Sequence, residues 1–276
     1  MSAKLLLGKP VAESICSRVF DEARGINKKL CLIGFDEPRW NQYADSLTCS
    51  AAKYGFACDN IKVPYGVSLD ELRRRVSDMC VAPDVCGVML QQPLEPRYKN
   101  AVECVDVSKD VDCLNPLSVC KLYNGEDGFR PATPQAVLRL LDYYGIELKG
   151  KNVVVVGRGN AVGKPLALML LARNATVTVC HTKTVDLPSI CRRADILISA
   201  CGVAGLITSD YITERSVVID VGLSFVDGKT CGDVAKEAYD RCCAVSPVPG
   251  GVGPVTRAAL FENLLKAAKE LNDDNR

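Results

Sequence analysis

Short runs of branched apolar residues alternate along this chain with longer stretches in which apolar residues recur every three or four positions. Lys29 to Phe35 (KLCLIGF), Ile61 to Val63, Val85 to Leu90 (VCGVML), Val153 to Val156, Ala175 to Val179, Ala194 to Ala200 and Val217 to Val221 read as strands. Uninterrupted β-branched runs suit strands covered on both faces of a parallel sheet. Between them, Val11, Ile15, Val19 and Phe20 fall at helical spacing within residues 10 to 24, and a second helix covers Trp40 to Tyr54 before Gly55. Ser68 caps a third, over SLDELRRRVSDM, and Pro134 stands at the first position of another that runs to about Tyr144 before Gly145. The repeated alternation predicts an α/β protein whose first 115 residues form their own layer rather than a tail. Lys109 to Pro134, with KDVDCLNP, NGEDG and RPATP, reads as a linker rich in turn residues. Residues 246 to 256 (SPVPGGVGPVT) read as a loop before a helix from Arg257 to Leu271; its glycine pair either makes a sharp crossing or lies against a ligand.

The centre of the chain carries the strongest local signal. The strand Val153 to Val156 runs into Gly157, Gly159 and Gly163, then into an apolar helical run from Pro165 to Ala172, then into the next strand. This is a βαβ unit with a glycine-rich turn, in a GxGxxxG spacing one residue longer than the usual dinucleotide fingerprint. Such a turn lets backbone N–H groups at a helix N-terminus approach a pyrophosphate, because no Cβ stands in the way. The second strand ends in His181-Thr182-Lys183-Thr184, with no carboxylate before Asp186, and Arg158 lies inside the turn. A guanidinium, an amine and hydroxyls suit a ribose 2′-phosphate, which an acid would repel, so NADP is favoured over NAD. His181, the one histidine, fits adenine packing better than catalysis.

Composition excludes several classes. With a net charge of +1, the chain has no global field to recruit nucleic acid or an anionic membrane. No apolar run approaches the length of a bilayer span, and the leucine run near the start is too short for a signal-peptide core. Fifteen cysteines include no CxxC pair, and with a single histidine no clustered metal-ligand set is expected. Most of these thiols read as small core residues in a reducing, cytoplasmic compartment.

Five stretches, Gln91-Gln92-Pro93-Leu94, KDVD at Lys109 to Asp112, PATP at Pro131 to Pro134, VVVGRGNAVGKP and PVPGGVGPVT, resemble the methylenetetrahydrofolate dehydrogenase/cyclohydrolase family in order and spacing, over essentially the whole chain. The resemblance implies a Rossmann-type NADP-binding domain over 134–253, and a discontinuous folate domain over 1–133 plus 254–276. A folate cleft would lie between the two. It also implies a homodimer joined through the nucleotide domain. Matched residue by residue, Gly157, Arg158, Gly159 and Gly163 would hold the dinucleotide phosphates and Thr182 the adenosine phosphate, with Leu223 and Thr133 beside the nicotinamide. Tyr43 would stack on a tetrahydrofolate derivative, Gln91 reach its reacting end and Asp112 grip the pterin, with Pro249, Gly250, Gly251 and Pro254 lining the folate side. A carboxylate at Asp112 can accept two N–H bonds from an aminopyrimidine edge.

This sequence departs from the family at one chemically important place. The family motif Y-x-x-x-K reads Tyr43-Ala44-Asp45-Ser46-Leu47 here, so the lysine position is Leu47. Four residues apart on a helix, Tyr43 and Leu47 share a face, which should point into the cleft. Hydride transfer from 5,10-methylenetetrahydrofolate needs chiefly positioning, because the product cation is delocalised over two nitrogens. Hydrolysis of the methenyl product needs protons moved, which leucine cannot do. Lys53, ten residues from Tyr43, points away from that face. An NADP-dependent dehydrogenase with the cyclohydrolase step reduced or absent is therefore expected. The alternatives are a bifunctional enzyme in which Asp45, Gln92 or a water replaces the lysine, a non-catalytic NADP-binding regulator, and, more weakly, a shikimate-type or amino-acid dehydrogenase, whose Lys/Asp pair no motif here places. Two smaller departures are Gln92 for the family's leucine and Cys113 for a glycine after KDVD.

Overall fold

In the computed structural model, which describes residues 3–273, the elements follow the predicted alternation. In chain order they are β1 (Lys4–Leu5), α1 (Gly8–Glu22), β2 (Lys29–Phe35), α2 (Pro38–Ala51), β3 (Ala57–Val63), α3 (Leu69–Val81), β4 (Val85–Leu90), α4 (Pro116–Asn124) and α5 (Ala132–Tyr143). There follow β5 (Asn152–Val156), α6 (Gly163–Ala172), β6 (Thr176–Cys180), α7 (Leu187–Arg192), β7 (Ile196–Ser199), β8 (Val217–Asp220), β9 (Ser224–Val226), β10 (Lys229–Cys231), β11 (Ala244–Ser246) and α8 (Val252–Asp273). The chain forms two units, one of residues 1–13 and 133–256, the other of residues 14–132 and 257–276.

The first unit is built on a six-stranded sheet in the order β1-β11-β8-β7-β5-β6, every pair parallel. Its central strands carry the valine and isoleucine runs, and Val153, Val155, Leu197, Ile198, Val218 and Ile219 are fully buried or nearly so. From β5 the chain steps to β6 on one side and to β7 on the other. The order therefore reverses between β5 and β7, the place where open α/β sheets bind ligands at the carboxyl ends of their strands. A small antiparallel hairpin, β9 with β10, stands beside this sheet as a separate ladder.

Residues 1–13, expected in the folate domain, cluster with the six-stranded sheet. Lys4 and Leu5 pair with Ala244 and Val245, so β1 completes an edge of the six-stranded sheet. Two residues are too short a strand to be seen as a pattern.

The second unit has a three-stranded parallel sheet, β3-β2-β4, with β2 at its centre paired to both neighbours. Phe35, Val63, Leu72, Val76, Val88, Leu90 and Tyr98 form one apolar cluster, and the Tyr98 hydroxyl donates to the Val67 carbonyl at 2.7 Å. The C-terminal helix supplies the other cover: Phe261 stacks on Tyr54 with ring centres 4.3 Å apart, and Asn263 donates to the carbonyls of Val111 and Arg130. Gly87 on β4 is required by that packing. A Cβ there would stand 2.5 Å from Leu264 and 2.8 Å from Val111.

Two boundaries differ from the sequence reading. The segment from Lys109 to Pro134 is more than a linker, since it contains α4, capped by the Asn115 side chain and ended by Gly125 at φ 72°. Helix α8 starts at Val252, so Pro254 lies in its first turn, where a proline's missing N–H removes no helical bond.

Candidate functional site

In the unit that carries the six-stranded sheet, the glycine turn leaves β5 with Gly157 at φ 126°, a conformation side chains rarely adopt. A Cβ on Gly157 would lie 2.3 Å from the Ala200 carbonyl oxygen, and one on Gly163 would lie 2.1 Å from that of Gly157. Two of the three glycines are thus demanded by backbone approaching backbone. Gly159 has open space around it and leaves that side of the turn bare. Helix α6 begins at Gly163 with no side-chain cap at Val162, and its N-terminal end faces the turn. Arg158, Thr182 and Lys183 are exposed, and the His181 Nδ1 accepts the Lys183 N–H at 3.1 Å within the turn after β6. These features fit a dinucleotide: a bare glycine cradle at the sheet's switch point, with positive and hydroxyl groups at the next strand's end.

The loops after β7 and β8 are fixed by two carboxylates that sequence reasoning missed. Asp233 accepts from the Ser199 hydroxyl at 2.9 Å, from the Cys201 N–H at 2.9 Å and from the Val203 N–H at 2.8 Å. Fully buried Asp220 accepts from the N–H groups of Gly222, Asp233 and Val234 at 2.9–3.0 Å. Burial pushes the Asp220 carboxyl up to about 6, against the pull of those donors. Gly222 and Gly232 are locked into the arrangement, since a Cβ on either would run into the Asp233 or Asp220 carboxylate at 2.0–2.2 Å. Leu223, next in the chain, is held out at 62% exposure. The only available sequence signal was a pair of acids at strand ends with no basic residue beside them.

The proline-glycine loop makes a crossing. The Gly8 N–H donates to the Gly250 carbonyl at 2.8 Å, and a Cβ on Gly8 would lie 1.8 Å from the Gly251 oxygen. Gly250 is at φ 107°, and Gly251 bonds back to the Pro247 carbonyl at 2.7 Å. Pro249 and Pro254 are exposed, while Gly251 is buried. The sharp crossing read from the sequence is thus present in this loop. Thr133 is half-buried in the first turn of α5.

In the other unit, a cavity of about 510 Å³ is lined by Tyr43 and Trp40 of α2, by Glu37 and Arg39, by Tyr65, and by Gln91 with Gln92 and Pro93 after β4. Tyr43 keeps 43% exposure, with its ring 5.7 Å from that of Trp40. Its hydroxyl is pushed up to about 12 by burial around the oxygen and by Asp112, with Arg257 opposing. Gln91 is buried; its Oε1 accepts the Phe35 N–H at 2.7 Å and its Nε2 donates to Glu37. The lining includes no lysine and no histidine.

Leu47 does not share the open position of Tyr43. It is 1% exposed and packs with Trp40, Ala44 and Ala51 on the buried face of α2. The expected cleft-facing stripe is therefore split, because the helix turns its 40, 44, 47, 51 positions to the core and leaves Tyr43 at the margin. Lys53 is exposed.

The KDVD stretch divides its labour. Lys109 is buried with its Nζ on the Ala82 carbonyl at 2.9 Å, and Asp110 accepts from the N–H groups of Leu114 and Asn115. Asp112 accepts no hydrogen bond among the described residues. Burial, and secondarily the charge of Asp110, push its carboxyl up to about 7. Cys113 sits at φ 56°, the left-handed region that favours glycine, at a local cost of about 1–2 kcal/mol. No group of three or more histidine, cysteine or acidic side chains is placed to hold a metal ion among the described residues, and no described helix is long and apolar enough to cross a membrane.

A parallel sheet with a glycine cradle at its switch point, joined in one chain to a second α/β unit with an aromatic cavity, defines a dinucleotide-binding enzyme of the two-domain α/β type. Residues 131–272 match the tetrahydrofolate dehydrogenase/cyclohydrolase NAD(P)-binding domain, and residues 6–112 match the catalytic domain of the same family. The bifunctional protein FolD of Clostridium perfringens is 40% identical over 275 residues, which cover 95% of this chain and 98% of that protein. The bifunctional methylenetetrahydrofolate dehydrogenase/cyclohydrolase of Campylobacter jejuni superimposes with a TM-score of 0.94 at 36% identity, over 98% of this chain and 99% of that one. The Trypanosoma brucei dehydrogenase-cyclohydrolase, solved with NADP and an inhibitor, gives 0.91 at 33% identity over 98% of each. The chain belongs to the methylenetetrahydrofolate dehydrogenase/cyclohydrolase family of enzymes.

Proposed function

We propose that this chain is an NADP-dependent 5,10-methylenetetrahydrofolate dehydrogenase in which the cyclohydrolase step is strongly reduced. One observation carries the reading: the position of the family lysine is a leucine buried in the core, and the cavity beside Tyr43 is lined by neither lysine nor histidine. NADP, when bound, supplies the nicotinamide ring that accepts the hydride. The bare glycine turn suits its pyrophosphate, and Arg158, Thr182 and Lys183 suit the 2′-phosphate. Tyr43 offers a half-exposed ring to stack on the pterin, Asp112 offers a carboxylate with no donor among the described residues, and Gln91 offers an amide fixed by its neighbours. Oxidising the methylene bridge requires no proton from any of them. Hydrolysing the methenyl bridge requires a group that can exchange one, typically worth about 10²–10⁴-fold in rate.

The bifunctional alternative is favoured by the naming of relatives such as the C. perfringens protein, 40% identical and called bifunctional. The two readings separate in one steady-state experiment. Oxidation of methylenetetrahydrofolate and hydrolysis of methenyltetrahydrofolate are measured with NADP and NAD, subtracting spontaneous hydrolysis. Hydrolysis as fast as oxidation would reverse the proposal. Association as a homodimer through the nucleotide unit is part of the same proposal and is tested by light scattering of the purified chain.

A further inference from the structure

Glu37 stands immediately before α2 with extended backbone, φ −134° and ψ 149°, where a carboxylate ordinarily turns back to accept an N–H of the first helical turn. Its side chain makes no such bond. Pro38 already sets the helix start, and the carboxylate reaches instead to Gln91, whose Nε2 donates to Oε1. The second oxygen accepts from the Tyr65 hydroxyl at 3.4 Å. With the Phe35 N–H on its oxygen and Glu37 on its nitrogen, the Gln91 amide has one permitted orientation. A flip would set oxygen against carboxylate and donor against donor. One amide N–H is left over for the cavity.

The charged side chains lining the cavity are Glu37, Glu95 and Arg39. Glu95 is paired with Arg97 at 3.0 Å, and Arg39 is exposed. Glu37 is therefore the charge fixed against Gln91.

We propose that Glu37 is the positioning residue for Gln91 and that its carboxylate makes this cavity prefer the cationic form of a one-carbon folate. The inference rests on the proposed function, in which the reacting end of the folate lies at Gln91. Loss of a hydride, one proton together with two electrons, from the bridge carbon would neutralise the positively charged nicotinamide ring of a bound NADP. The N–C–N bridge gains that charge, and no proton is exchanged with the protein. A preorganised negative group beside the bridge is worth more to the charged product than to the neutral substrate.

The test compares the full chain with Glu37→Gln and Glu37→Asp. Calorimetry measures affinity for 5,10-methenyltetrahydrofolate, which carries the cation, and for 5-formyltetrahydrofolate, whose ring system is neutral. Glu37→Gln is expected to lower the ratio of the two affinities by about tenfold and to lower kcat for methylene oxidation with little change in KM. Glu37→Asp should recover part of the ratio, and NADP affinity should stay unchanged in both. An unchanged ratio in Glu37→Gln, or equal weakening of both ligands, overturns the inference and leaves the dehydrogenase reading standing. A wild-type chain that binds NADP and neither folate overturns both.

Discussion

Gly163 approaches Gly157 so closely that a Cβ on the first would lie 2.1 Å from the carbonyl oxygen of the second. The obstacle is backbone, which cannot swing aside as a long side chain would. Gly163→Ala should cost about 1–3 kcal/mol and open the turn, seen as a lower Tm and weaker NADP binding, with folate binding unchanged. Wild-type NADP affinity in this variant would mean that the turn is not where the phosphates rest.

Arg158 is exposed in the same turn, so its removal leaves the core alone. Arg158→Ser should weaken NADP by about 10- to 100-fold, the worth of hydrogen bonds to a charged phosphate. NAD, with no 2′-phosphate, should be much less affected. Equal losses for the two cofactors would place the 2′-phosphate elsewhere.

Leu47→Lys should raise methenyltetrahydrofolate hydrolysis, by up to about 10²–10⁴-fold if the amine reaches the folate. Because position 47 is 1% exposed, the same change should cost about 2–4 kcal/mol at neutral pH. Both effects are read on one preparation, by assay and by thermal melting. A stable variant with no gain in hydrolysis would show that more than this side chain separates the site from a hydrolase.

Asp112 gives a pH dependence of definite sign. Burial holds its carboxyl near 7 in the folded chain, above its unfolded value, so the folded state prefers the protonated form. That contribution is fully present below the unfolded pKa and is lost as pH rises toward 7. Asp112→Asn should therefore raise stability at pH 8 by roughly 1–3 kcal/mol and change it little near pH 3. In the proposed role, an ionised Asp112 accepts the pterin's N–H groups, so the wild-type kcat/KM for folate should fall as pH drops through about 7. A flat profile from pH 6 to 8 would remove Asp112 from pterin recognition.

Much of this molecule could be read before any coordinates. β2 and β4 fall at the residues named from the apolar runs, Ser68 caps α3 by accepting the Glu71 N–H, and Gly55 ends the second helical segment in the left-handed conformation. These are local facts, set by spacing and by residue type. What escaped depended on partners distant in sequence. β1 is a strand only because Ala244 and Val245 lie beside it. Asp220 and Asp233 matter through N–H groups on three loops, which no period records. The identity of position 47 was legible and its burial was not. The angle at which α2 turns its core face, one residue away from Tyr43, is decided by packing. Cys113 was visible as a departure from a family glycine, but its strained backbone was not.

The helix that stacks Phe261 on Tyr54 is the last element of the chain, and residues 14–132 share their core with it. During synthesis, the strands and helices made early must wait while some 120 further residues emerge. The nucleotide unit, whose described segments end at Thr256, can close first. The three-stranded sheet, translated early, is thus completed by the last described helix of the chain.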